Sequence, residues 1–211
     1  MATDEIRAMK SLGGILVLLL ALSDTVSPQA TIGLAINEIL FNPTKDGYDY
    51  VELYNYGADS IDLKTIMIAN RNATNDISSL RPLSKTNKFL AAGSYAVITA
   101  NEKWLRQNYQ VPPGTQIFVA SQMPSFPDDE GEVVICNATD SSVIEEVDYS
   151  EKWHSAILAD ASGVALERIN YGSPANDKNN WTSASSSSGY GTPGAQNSQF
   201  RADMQAEGDV T

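Results

Sequence analysis

From Ile32 onward the apolar residues fall in short runs, broken by turn residues about every 8 to 12 positions. This spacing predicts strands near residues 34–41, 48–55, 60–69, 94–99, 116–119, 131–136, 142–148 and 164–169, an all-β sandwich or barrel. In DYVELYN, Val51 and Leu53 share one phase while Tyr50, Glu52 and Tyr54 share the other, because strand side chains alternate between faces. The first phase suits a core and the second a rim of tyrosine and acid, so Glu38 and Glu52 read as outward residues. Turns carry their own signals, with Pro43 and Gly47 in NPTKDG, Gly57 in NYGADS and Gly93 in LAAGSY. Only residues 101–110 read as a short helix, stopped by Pro112 and Pro113. After Asn170 the chain is rich in Ser, Asn and Gly and reads as loop, anchored by Trp181 and Tyr190. Residues 199–211 read as a flexible tail or a linker to a further domain, and no internal repeat is present.

The N-terminus follows different rules. Residues 12–22, LGGILVLLLAL, are nearly all apolar and follow Arg7 and Lys10. The run is short for a membrane span of about 20 residues, and it fits the core of a secretory signal peptide. Cleavage is expected near Ala21-Leu22-Ser23 or near Ala30, so residues 1–30 are set apart from a domain over 31–198. With 14 Lys and Arg against 26 Asp and Glu, the net charge is -12. A nucleic-acid surface needs clustered basic residues, so no nucleic-acid partner is expected, and contact with membrane only through the export segment. The lone Cys136 excludes an internal disulfide and a Cys-rich zinc site. In the apolar run EVVIC it reads as a buried small hydrophobe. An exported chain without disulfides suits a bacterial envelope or medium, so the expected location is secreted, periplasmic or cell-surface.

Several stretches together resemble one family. INEILFNP…DYVELYN, then SIDLKTIMI, FLAAGSYAVIT, DDEGEVVIC, VIEEVDYSEKW, GVALERI and finally NWTSASSSSGYGTPGAQNS occur in the order found in lamin tail domains of bacterial secreted and surface proteins. Thr65 and Ile66 stand where the family often has Gly-Trp, and Ala92 where it often has Pro. The resemblance implies an immunoglobulin-like β-sandwich with one short helix. It also implies a non-catalytic module for structural display or protein interaction at the cell envelope. The alternatives are a carbohydrate-binding or adhesion module, with Tyr50, Tyr54 and Trp104 stacking on sugar rings, and an accessory domain of a secreted nuclease or phosphatase. The partner is an unknown protein or glycan.

Candidate chemistry is sparse. Asp128, Asp129, Glu130 and Glu132, around Gly131, form the densest acidic group and the better Ca²⁺ candidate, although the family counterpart is a plain tight turn. Asp46, Asp49 and Asp59 are a weaker one, lacking the regular spacing of a calcium loop. Apart from weak Ca²⁺, no cofactor is expected. His154, the only imidazole, has Ser155 beside it and Asp148 and Asp160 nearby. Neighbours on an extended chain point apart and no Gly-x-Ser-x-Gly elbow is present, so His154 reads as a loop-surface residue. Glu38, Glu52 and Glu167 could supply a glycosidase-type carboxylate pair in principle, but nothing in the sequence fixes their separation. Glu167 and Arg168 point to opposite faces, and Arg168 is expected to meet an acid across the sheet. Tyr48, Tyr50, Tyr54 and Tyr56 form the candidate binding surface, since tyrosine adds contact area at low entropy cost. The Asn-x-Thr triplets at Asn72, Asn137 and Asn180 decide nothing.

Overall fold

A computed structural model describes residues 32–202. The apolar N-terminal segment with its cleavage candidates, and residues 203–211, lie outside the described residues. Among those described, no helix is long and apolar enough to cross a membrane.

The strands are β1 (Leu34–Leu40), β2 (Tyr50–Asn55), β3 (Ile61–Asp62), β4 (Ile66–Arg71), β5 (Ile77–Pro82), β6 (Phe89–Leu90), β7 (Tyr95–Thr99), β8 (Gln116–Val119), β9 (Glu130–Asn137), β10 (Val143–Ser150), β11 (Leu166–Arg168) and β12 (Trp181–Ser183). Six of them form a first sheet in the order β12-β11-β1-β2-β7-β8, and four form a second in the order β10-β9-β4-β5. β3 pairs with β6 alone. All pairs are antiparallel except β7 with β8. The expected strands are all present, with 60–69 divided by a 3-10 turn at Leu63–Thr65. β5, β6 and β12 were not expected: Pro82, the shortness of β6 and the Ser/Asn-rich setting of β12 hide their strand signal.

The core lies between the sheets, where Ile36, Ile39, Val51, Leu53 and Ile98 meet Ile66, Ile68, Val133, Ile135 and Val147, all fully buried. Helix α1 (Glu102–Asn108) starts where the Asn101 side chain accepts from Trp104 N at 3.0 Å and is braced by a Glu102–Arg106 pair. It does not pack on that core. Leu105 and Tyr109 instead join Leu40, Tyr50, Val97, Ala165 and Ala184 in a second cluster on the outer face of the first sheet. The molecule therefore has a third layer, made of α1 and the closing chain. This explains why every residue of β1 is buried, where one solvated face was expected.

Candidate functional site: a buried row of glutamates under a closing strap

The alternation of β2 is as the sequence predicts, but its second face is not a rim. Glu38 pairs in register with Glu167 on β11 and with Glu52 on β2, so three glutamates stand in one row across β11, β1 and β2. All three are fully buried. The expectation that Glu38 and Glu52 face outward is corrected: residues 191–199, the closing strap, lie over them.

The strap is held by these acids. Glu38 accepts from Thr192 N at 2.8 Å and from the Tyr50 hydroxyl at 2.9 Å. Glu52 accepts from Gly194 N and, at 2.7 Å, from Asn37 Nδ2. Glu167 accepts from the Thr192 and Ser198 hydroxyls at 2.9 and 2.8 Å and from Gln199 N at 2.9 Å. Asn197 closes the arrangement. Its Nδ2 donates to Asn37 O at 2.8 Å and Arg168 O at 2.9 Å, while its Oδ1 accepts from Asn37 Nδ2 at 2.7 Å. The strap can come this close because Gly191 has no side chain: a Cβ there would lie 2.6 Å from the Tyr50 hydroxyl and 2.8 Å from the Tyr109 ring.

Asn37 reaches the strap because β1 shifts register between Ile36 and Glu38, a bulge that re-aims a side chain. The pairing of β1 with β11 covers only Glu38 and Ile39, and next to it an ion pair bonds the main chain of Ile36 from the core side. Glu145 on β10 accepts from Ile36 N, Arg168 donates to Ile36 O at 3.3 Å, and the two side chains pair at 2.8 Å. The acid expected to meet Arg168 thus comes from the opposite sheet. Burial pushes the Glu145 carboxyl up, with Arg168 working against it.

The four candidate tyrosines divide between two places. Tyr50 is fully buried under the third layer, which corrects its reading as a surface residue. Tyr48 is exposed and edge-on to the Trp104 ring at 6.0 Å. Tyr54 and Tyr56 belong to an aromatic group at the other end of the sheet. Tyr54 stacks with Tyr95 at 4.7 Å and meets Tyr171 at 4.6 Å, Tyr171 stacks with Phe200 at 5.1 Å, and Tyr56 lies parallel to Tyr171, within 2°, at 6.2 Å. Gln199 and Phe200, expected to open a flexible tail or linker, are half-buried, and the main chain of the exposed Arg201 donates from N to Ile169 O.

Asp128 and Asp129 sit on an exposed turn and Glu130 opens β9. Glu132 stands opposite Asp148 in the β9–β10 register and lines a cleft of about 540 Å³ with Asp148, Arg71 and Asn70. Burial, then Asp148, pushes the Glu132 carboxyl up. Burial, then Asp128, pushes Asp49 up to about 7. Asp46 and Asp59 are exposed. Among the described residues, no group of three or more His, Cys, Asp or Glu side chains is placed to hold a metal ion. His154 is not a free surface residue: it is half-buried, with Nδ1 2.9 Å from Ser183 Oγ, and burial holds its imidazole down at about 4. Its partner is the buried Ser183, not Ser155. Cys136 is fully buried, as expected.

Two sheets packed face to face around one core, with a clasped segment over one outer face, define an immunoglobulin-like β-sandwich domain. The chain belongs to the Lamin Tail Domain family, whose model matches residues 27–173. This is a family of non-catalytic immunoglobulin-like domains. The strap lies beyond the matched range. Among curated proteins none matches. Among solved structures, the chain is similar to a DUF4876 family protein from Bacteroides thetaiotaomicron, with 14% identity and a TM-score of 0.41. The match covers 66% of this chain and 63% of that one.

Sequence reasoning missed Asn37, Thr192, Gly194 and Asn197. The TPGAQNS segment that holds three of them was visible as a closing signature, but nothing in it told which face it covers.

Proposed function

We propose that this chain is an exported, non-catalytic β-sandwich module that serves structural display or protein interaction at the bacterial cell envelope. One observation carries the non-catalytic reading: all six carboxyl oxygens of the convergent glutamates are engaged by Tyr50, Asn37, Thr192, Gly194, Ser198 and Gln199. A catalytic acid pair needs oxygens free to reach a substrate, and these are committed to the fold. Export is supported by the apolar segment at residues 12–22 behind two basic residues. The test is a full-length fusion to a reporter active only outside the cytoplasm, expressed with and without residues 1–30. Activity that requires those residues supports export; equal activity, or none in either case, rejects it.

A second reading, carbohydrate binding, is favoured by Tyr56, an exposed ring stacked parallel on Tyr171, since an exposed aromatic face can pack on a sugar ring. Affinity electrophoresis through soluble polysaccharides would test it. Retardation lost in Tyr56→Ala supports this reading, and unchanged mobility in every polysaccharide rejects it.

A further inference from the structure

The row Glu167–Glu38–Glu52 brings three carboxyl groups side by side, fully buried, on adjacent strands. Like charges directly opposite repel, and a buried charge without a counter-charge is costly. The titratable groups around the row are Tyr50 from β2, Tyr109 beyond α1, Tyr54 and Tyr95 from β2 and β7, and Tyr171 from the loop after β11. None of these brings a positive charge. Arg168, next to Glu167, turns to the opposite face and pairs with Glu145.

The hydrogen-bond count at Thr192 is the decisive detail. Its hydroxyl lies 2.9 Å from Glu167 Oε1, 3.2 Å from Glu38 Oε2 and 3.5 Å from Asn197 Oδ1. A hydroxyl has one proton to give. The shortest contact takes it to Glu167, and Asn197 Oδ1 is already served by Asn37. Glu38 Oε2 then has a partner only when Glu38 itself carries a proton and donates it to the Thr192 oxygen. The chain reads Glu38 Oε2–H to Thr192 Oγ1, then Thr192 Oγ1–H to Glu167 Oε1.

We propose that residues 191–199 form a proton-dependent clasp, closed while the Glu38–Thr192–Glu167 chain holds its proton and released when that proton leaves. The strap is the part able to yield, because much of its attachment runs through these carboxyls, whereas the sheets are tied by backbone ladders. Two shallow clefts border it, one of about 340 Å³ beside Pro112 and Thr192 and one of about 270 Å³ beside Thr115 and Gly194. Burial, and then Glu167, pushes Glu38 up to about 8. An acid raised on folding favours the closed form fully below its unfolded value of about 4.5, and that contribution is lost as pH rises through about 8. The clasp therefore opens on the alkaline side.

Hydrogen exchange on the full chain tests this, with protection factors corrected for intrinsic base catalysis. Between about pH 6 and about pH 9, protection at the Thr192 and Gly194 amides should fall at least tenfold relative to the amides of β9, since one proton contributes up to about tenfold per pH unit. Glu38→Gln puts an amide donor where the proton sits, and should keep the strap protected over the whole range. Flat protection in the native chain, or an equal fall in Glu38→Gln, would overturn the clasp. Should that variant not fold, carboxyl ¹³C shifts of the native chain decide: Glu38 should titrate above about pH 7, and its titration in the ordinary range would overturn the proposal.

Discussion

Glu145 and Arg168 meet at 2.8 Å across the sandwich, one from each sheet, with side chains only 15% and 3% exposed. Together they bond the amide and carbonyl of Ile36. Breaking one side of a buried pair strands the other charge, at a cost of about 3–5 kcal/mol. Arg168→Met should destabilise by that order in urea unfolding. Adding Glu145→Met should return part of the loss, because no charge is then left buried. A single mutant at wild-type stability would show that the pair is dispensable.

Asn197 makes both of its amide N–H donations to main-chain carbonyls of separate strands, Asn37 and Arg168. Asn197→Ala leaves those carbonyls and Asn37 Nδ2 short of partners in a dry site, at about 1–3 kcal/mol for each such group. The expected loss is at least about 2 kcal/mol, read by urea unfolding. Asn197→Asp should be no milder, since it brings a fourth carboxyl beside the row and removes the donors.

His154 gives an opposite pH dependence from Glu38. Burial holds the imidazole at about 4, below its ordinary 6.5, so folding favours the neutral ring. Its contribution is present above about 6.5 and is lost as pH falls towards about 4. The native chain should lose stability relative to His154→Gln over that window, by at most about 1.4 kcal/mol per pH unit. Taking the difference between the two proteins removes the Glu38 and Asp49 contributions, which run the other way.

Cys136 lies fully buried, with its thiol pushed up by burial and then by Asp140. A thiol reagent should label it only as fast as the chain opens, and labelling should track unfolding through a urea titration. Rapid labelling in buffer alone would contradict the packing of β9 against β4.

The face alternation of β1 and β2 was legible because period-two patterning follows from backbone geometry alone. What covers each face was not. Tyr50 and Glu52 look like rim residues locally, and only the arrival of Leu105, Tyr109 and residues 191–199 makes that side an interior. Three glutamates in one row were also hidden, since the pairing of Glu38 with Glu167 depends on register between segments 129 positions apart. β12 sits in a run of Ser and Asn where composition argues for loop, and Trp181, packed on the core, overrides that preference. His154 was misread for a similar reason: its burial comes from Phe41 and Ser183, remote in sequence.

The strap bonds join residues separated by up to 160 positions, nearly the two ends of the described chain. Closing so long a loop is slow compared with forming a hairpin. Within the third layer, α1 rests on local contacts, whereas the strap can be seated only once β1 and β11 have paired, because Asn197 bridges Asn37 O and Arg168 O. A nascent chain that has made all of β1 to β12 still presents Glu38, Glu52 and Glu167 beneath an open face until Thr192 to Gln199 leave the ribosome. Completion of this domain therefore requires its C-terminal segment as well as its assembled sheets.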